Sequence, residues 1–214
     1  YFYQNPFAFY GVNEELLKLS INPVLNFQGG YDVSSSQRLS INTRGIEIEG
    51  LIDDKIAFYS FIGENQMFVP QYVSDRILDA KAVPQENFWK LFKDTGYDFF
   101  TARGYVDFNI TKHIAFQFGQ DRNFIGNGYR SMILSDYAGT YPYAKLQTKI
   151  WKFNYTNLYA KLTADIVSTA AGPPAGSEIY GKKWLSIHHL SLDITKNINI
   201  GVFGPFGVRF PIVA

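Results

Sequence analysis

Apolar and polar residues alternate along most of this chain, and residues 97–131 show the pattern most clearly. There Phe100, Ala102, Gly104, Val106, Phe108 and Ile110 share one parity, against Tyr97, Thr101, Arg103, Tyr105, Asp107 and Asn109 on the other. Ile114, Phe116 and Phe118 then alternate with Ala115, Gln117, Gly119 and Asp121. Period two over such lengths predicts β-strands, because successive side chains leave opposite faces of the pleat. Pairing Asn109 with His113 across a link of Ile110, Thr111 and Lys112 puts the apolar residues of both strands on one face. The prediction is a hairpin with one apolar and one mixed polar face.

The same pattern recurs on both sides. Leu17, Leu19, Ile21, Leu25 and Phe27 alternate with Lys18, Ser20, Asn22 and Asn26, and Pro23 marks an edge, a bulge or a strand end. Leu39 and Ile41 fall out of phase with Ile46, Ile48 and Ile52, which predicts a bulge near Arg44 and Gly45. Residues 55–63, KIAFYSFIG, are apolar on both faces. Later strands are marked by Leu146, Thr148 and Ile150, by Phe153, Tyr155 and Tyr159, and by Leu190, Leu192 and Ile194. A final one carries Ile198, Ile200 and Val202. The Gly- and Pro-rich end, GPFGVRFPIVA, carries no assignment.

Roughly nine strands result, with short links at residues 53–55, 110–112, 151–152 and 195–197. Between them lie long connections at 29–37, 64–96, 121–142 and 165–183. Within 64–96, residues 71–80 place Val73, Ile77 and Ala80 at helical spacing, and residues 86–92 predict one more short turn. Short and long links alternate, so the short ones gather at one end of the sheet. That is the layout of an outer-membrane barrel, with tight periplasmic turns and long outer loops. The expected fold is an all-β antiparallel transmembrane barrel, a single domain or fragment of one over residues 1–214. Arg103, Asp107, Asn109, Gln117, Asn154 and Asn157 would face its lumen. Tyr97, Tyr143, Trp151, Tyr159 and Trp184 would form interfacial girdles. An odd strand count, and a start that reads as already processed, point to part of a larger barrel. A soluble β-rich domain shows similar strand patterns and stays open as an alternative.

Composition sharpens this only in places. Charged residues make up 18 % and the net charge is +1, so bulk electrostatics gives no pointer to nucleic acid. The absence of cysteine excludes disulfides and thiol chemistry. No run reaches 18 uninterrupted apolar residues, so no transmembrane helix is expected.

The segment GQDRNFIGNGYRSMILSD, residues 119–136, holds the densest candidate chemistry. Gly126-Asn127-Gly128 lacks the strand–loop–helix context and the Lys-Ser/Thr pair of a phosphate loop. One reading gives both glycines positive φ in a tight loop. The other assigns binding of sugars or acidic polysaccharide to Asp121, Arg122, Asn123, Tyr129 and Arg130, through fork donors and an aromatic face. Asp121 would pair with Arg122, Arg130 or Arg103, and the loop would fold inward or cap the outer mouth. His188 and His189 point to opposite faces of a strand and do not share a metal, and His113 sits at a turn, so no metal is expected. No G-x-S-x-G elbow or triad spacing supports catalysis. Asp53 and Asp54 suit a turn.

From Leu39 to Leu162 the chain resembles a known family. The stretches INTRGIEIEGLIDDKIAFYSF, YAKLQTKIWKFNYTNLYAKL and, above all, GQDRNFIGNGYRSMILSD are similar to outer-membrane proteins of Bacteroidota-type bacteria. Those are Wzi-like capsule assembly proteins and gliding-motility proteins of the RemB type. Their chains are longer, so the resemblance implies correspondence to part of a many-stranded outer-membrane barrel. It further implies association with surface polysaccharide or a motility or secretion assembly, no enzymatic activity, and no cofactor. Outer-membrane lipid, surface polysaccharide and other outer-membrane proteins are the partners to expect. A passive porin-like channel and a soluble β-rich binding module are the alternatives.

Overall fold

The computed structural model describes residues 8–80, 82–86, 89–126, 128–167 and 180–209. It is an all-β antiparallel sheet of eleven strands with one helix. In chain order these are β1 (Tyr10–Asn13), β2 (Leu17–Asp32), β3 (Gln37–Ile52), β4 (Ile56–Phe68), α1 (Gln71–Ala80) and β5 (Lys90–Phe92). Then come β6 (Gly96–Thr111), β7 (Ile114–Asp121), β8 (Tyr141–Ile150), β9 (Phe153–Val167), β10 (Tyr180–Thr195) and β11 (Ile198–Arg209). Neighbours run β1-β2-β3-β4-β6-β7-β8-β9-β10-β11, with β5 added beside β6. No pairing among the described residues joins β11 to β1 or β2, so the sheet is open and not a closed barrel.

The described residues gather into two compact units. One holds Tyr1–Tyr105 with Asp121–Thr140, the other Val106–Gln120 with Tyr141–Ala214. In the first, β2, β3 and β4 pair without a register shift from Leu17↔Ile52 to Asp32↔Gln37 and from Ile52↔Ile56 to Ser40↔Phe68. The bulge expected near Arg44 is therefore absent. Its phase change has another cause. Ile41 packs against a buried cluster of Met67, Ile77, Val83 and Tyr97, while Ile46 and Ile48 stand on the opposite face. The sheet exchanges faces because α1 covers one end of it. Burial alternates along β4, with Phe61, Gly63, Asn65 and Met67 buried and Ile62 and Glu64 exposed.

Pro23 lies inside β2, opposite Ile46. The pairing of β1 with β2 stops at Ile21, so proline's missing N–H falls where β2 is an edge. Residues 29–37 are not a long connection: β2 continues to Asp32, and only residues 33–36 turn. The helix occupies the expected residues, whereas the short turn expected over 86–92 ends in β5. Tyr97 is not a girdle residue. It is buried under α1, its hydroxyl 2.5 Å from Ser74 Oγ and its ring edge-on to Trp89.

The second unit repeats one turn twice. In Thr111-Lys112-His113-Ile114 and Thr195-Lys196-Asn197-Ile198 the threonine Oγ1 accepts from the backbone N–H two and three residues on. The first hairpin thus turns at Lys112-His113, a residue later than expected. Phe108 stacks on Phe118 while Gln117 bonds Asp107, so the predicted division of faces holds there. In β9 and β10, Leu158, Ala160 and Ile187 are buried. Tyr155, Tyr159, Trp184 and Leu190 stand exposed on the other face. Tyr143 is buried, against the girdle expectation, while Trp151 is exposed. The unassigned Gly- and Pro-rich end is β11 as far as Arg209; Pro205 is tolerated because β11 is the last strand in the order. Most of the connection expected at 165–183 lies outside the described residues.

Ile77 is fully buried on α1, so Ile77→Ala should cost about 2–5 kcal/mol and release the helix first. Hydrogen exchange over residues 71–80 measures this, and Tyr72→Ala, at an exposed position, should leave protection unchanged.

Candidate functional site

Inversion of polarity defines the first unit. Leu25, Phe27, Ile46, Ile62 and Phe100 are 51–66 % exposed, while Asn65, Thr101, Asp121 and Asn123 are at most 8 % exposed. The register explains it: Pro23, Ile46 and Ile62 lie opposite one another on one face, as do Thr43 and Asn65 on the other. On the polar face Thr43 Oγ1 donates to Asn65 Oδ1 at 2.8 Å, and Asn65 Nδ2 donates to Thr101 Oγ1 at 2.9 Å. Tyr59 donates to Glu47 Oε1 at 2.7 Å and stacks on Tyr105 with centroids 5.5 Å apart. The Arg103 guanidinium lies over the rings of Tyr59 and Phe61, at 5.6 and 5.2 Å.

The residues after β7 close this face. Asp121 and Asn123 are buried on either side of Arg122, and the expected pairing of Asp121 with an arginine side chain is replaced. Asp121 Oδ1 accepts from the Arg122 backbone N–H at 2.7 Å, and no arginine side chain pairs with it among the described residues. Arg122 Nη2 instead donates to the Gln85 carbonyl and to Glu86 Oε1, both at 2.8 Å. Its side chain is 18 % exposed and that of Glu86 14 %. The connection bearing α1 is thereby anchored to the loop after β7. Gln85 takes φ 70° to present its carbonyl, a conformation disfavoured without such a partner.

The loop then leaves the protein. Tyr129 is 96 % exposed, and Arg130 lies over the Tyr137 ring at 4.4 Å. Tyr129 and Arg130 therefore form no site with Asp121, Arg122 and Asn123. Ile125 pairs with Leu134, and Ser131 Oγ bonds the Ile125 carbonyl. Gly126 has φ 141° and Ser131 fills the place of its Cβ, whereas Gly128 needs no positive φ, against the expectation for both.

Arg103 belongs to the first unit, and Asp107 and Gln117 to the second. There Gln117 Nε2 donates to Asp107 Oδ2 at 3.1 Å and Tyr143 donates to Gln117 Oε1 at 2.8 Å. Asn154 shares a face with buried Leu158, but Asn157 stands on the opposite one, with His188 Nδ1 2.6 Å from its Oδ1. Its odd number, against the even number of Asn154, already required this. Sequence reasoning missed Glu86, Tyr59 and Glu47. The signal for Tyr59 was there: residues 55–63 are apolar on both faces because Tyr59 and Phe61 carry Arg103. Glu86 sits in a connection without periodicity and gave none.

No family model, no curated protein and no solved structure matches this chain. The likeness to outer-membrane proteins therefore rests on its motif residues alone.

Burial holds the Glu86 carboxyl above its ordinary range, against the opposing pull of Arg122. A carboxyl raised above its unfolded value of 4.5 favours the folded state below that pH and loses the contribution as pH rises through the raised value. Glu86→Gln should therefore keep the connection docked and flatten the pH dependence of its hydrogen exchange. Arg122→Ala strands a buried carboxylate, should cost about 3–5 kcal/mol at neutral pH, and should undock residues 82–86.

Proposed function

We propose that this chain is a non-enzymatic β-sheet of the outer-membrane barrel type, its apolar face against lipid and its polar face toward water. Its role on this reading is to assemble or retain surface polysaccharide, or to serve a surface motility or secretion assembly. The inverted polarity of the first unit carries the membrane assignment. In water an exposed face this rich in apolar residues, interrupted by the paired Arg44 and Glu64, is a liability, whereas hydrocarbon demands it. Along β2 the apolar series covers residues 17–27, about 33 Å of strand and roughly 25 Å of height at a tilt near 40°. That matches the apolar band of a bacterial barrel. The open edges at β2 and β11 must pair with further strands for this reading to hold. The polysaccharide role rests on the resemblance of GQDRNFIGNGYRSMILSD to capsule assembly proteins.

A passive channel is the second reading, favoured by the polar face. Against it, α1 and the Arg122–Glu86 anchor cover that face of the first unit at its loop end.

Ile46→Arg separates lipid from water. In a membrane it should cost about 2–4 kcal/mol and reduce recovery from the carbonate-washed membrane fraction. At a solvent-exposed position it should change stability by no more than about 0.5 kcal/mol. Nitroxides at Phe27 and Ile46 should collide with lipid-soluble oxygen in preference to an aqueous nickel chelate; the reverse preference overturns the membrane assignment.

A further inference from the structure

We infer that Arg103 forms a binding point for small carboxylates on the polar face of the first unit. Four carboxylates lie on this face; Glu49 stands opposite Tyr59, and the other three already have partners. Glu47 accepts from the Tyr59 hydroxyl, Glu86 from Arg122, and Asp121 from the Arg122 backbone N–H. Arg103 makes no ion pair within 4 Å and no hydrogen bond among the described residues; its charge acts on the Glu86 carboxyl from farther off, and its Nε is buried without an acceptor. A buried N–H left open in this way is a place for an acceptor from outside the fold, a water or a ligand, and Arg122 Nε is open in the same way although its Nη2 is paired. The side chain is held ready for one, since Tyr59 and Phe61 support the guanidinium at 5.6 and 5.2 Å and Tyr59 is in turn stacked on Tyr105.

The chemistry selects the ligand. A planar guanidinium fixed on aromatic rings presents parallel N–H donors, the geometry that a carboxylate accepts with both oxygens. A neutral sugar offers hydroxyls that donate as well as accept, and gains nothing from the positive charge. Partnered Glu86 and Glu47 are spared competition with the ligand for a shared proton or donor. The inference holds whether the opposite face meets lipid or another protein.

Detergent-folded protein labelled with ¹⁵N at arginine is titrated with acetate, with glucuronate and with glucose, and the Arg103 Nε resonance is followed. Acetate and glucuronate should shift it saturably, and glucose should not. Arg103→Gln should weaken glucuronate binding, read by saturation-transfer NMR, at least tenfold. Arg103→Lys, which keeps the charge and loses the fork, should weaken it severalfold, and Arg44→Gln on the opposite face should leave it unchanged. An unmoved Nε resonance in the wild-type protein overturns the proposal without any variant. So does equal response to glucose, or undiminished binding by Arg103→Gln. Failure of the membrane test leaves these outcomes unaffected, so the two readings fail separately.

Discussion

The unbroken register through β2, β3 and β4 decides which medium each side chain of the first unit meets. Side chains alternate strictly, so one slipped residue would move Ile46 and Ile62 to the polar face and Asn65 to the apolar one. No bulge intervenes between Ser40↔Phe68 and Ile52↔Ile56. The pairing of Gly45 with Gly63 shows how tightly this is held. A Cβ on Gly45 would come within 2.7 Å of the Ile62 carbonyl and 3.0 Å of the Phe61 ring. Phe61 thus fills the space that both glycines leave and still offers its face to Arg103. One aromatic ring closes the strands together and positions a charge.

Burial on the polar face follows from this register and from what lies over it. Met67, Ile77, Val83 and Tyr97 make the small apolar core available to α1, and Arg122 fixes the chain where it returns at Glu86. The ion pair does not make that core. Its components are costly to bury, and the raised titration of Glu86 shows that Arg122 only partly offsets the desolvation. Its contribution is placement: two donors from one guanidinium hold a carbonyl and a carboxylate of adjacent residues, which fixes both position and direction.

The hairpins and their faces were legible in the sequence because period two is local and Phe108, Phe116 and Phe118 obey it without interruption. The helix was legible for the same reason at period 3.6, through Val73, Ile77 and Ala80. Where local pattern misled, a tertiary contact was responsible. Ile41 changed phase because α1 covers it, and no single strand contains that information. Tyr97, in sequence a girdle aromatic, is buried by the same helix. The Arg122–Glu86 pair joins residues 36 positions apart, one of them in a connection with no periodicity. β11 was hidden by its own glycines and proline, which an edge strand accommodates. In the candidate binding loop, the departure of Tyr129 and Arg130 depends on the Ile125–Leu134 pairing and was not readable.

Polar residues on the exposed apolar faces bear on the membrane reading in their own way. In hydrocarbon an unpaired polar group is expensive, so those that persist should satisfy one another. Arg44 and Glu64 lie directly opposite and pair at 3.3 Å. In the second unit His188 lies between Asn157 Oδ1 and Ser186 Oγ, 2.6 and 3.1 Å away, with Tyr155 stacked against it. Both imidazole nitrogens thus have a partner. Water would demand no such closure, since each group could be solvated separately. Arg103 Nε has no such closure, and Asn42 Oδ1, on the face of Arg44, shares that state, so closure describes the Arg44–Glu64 and His188 groups and not every polar side chain of these faces.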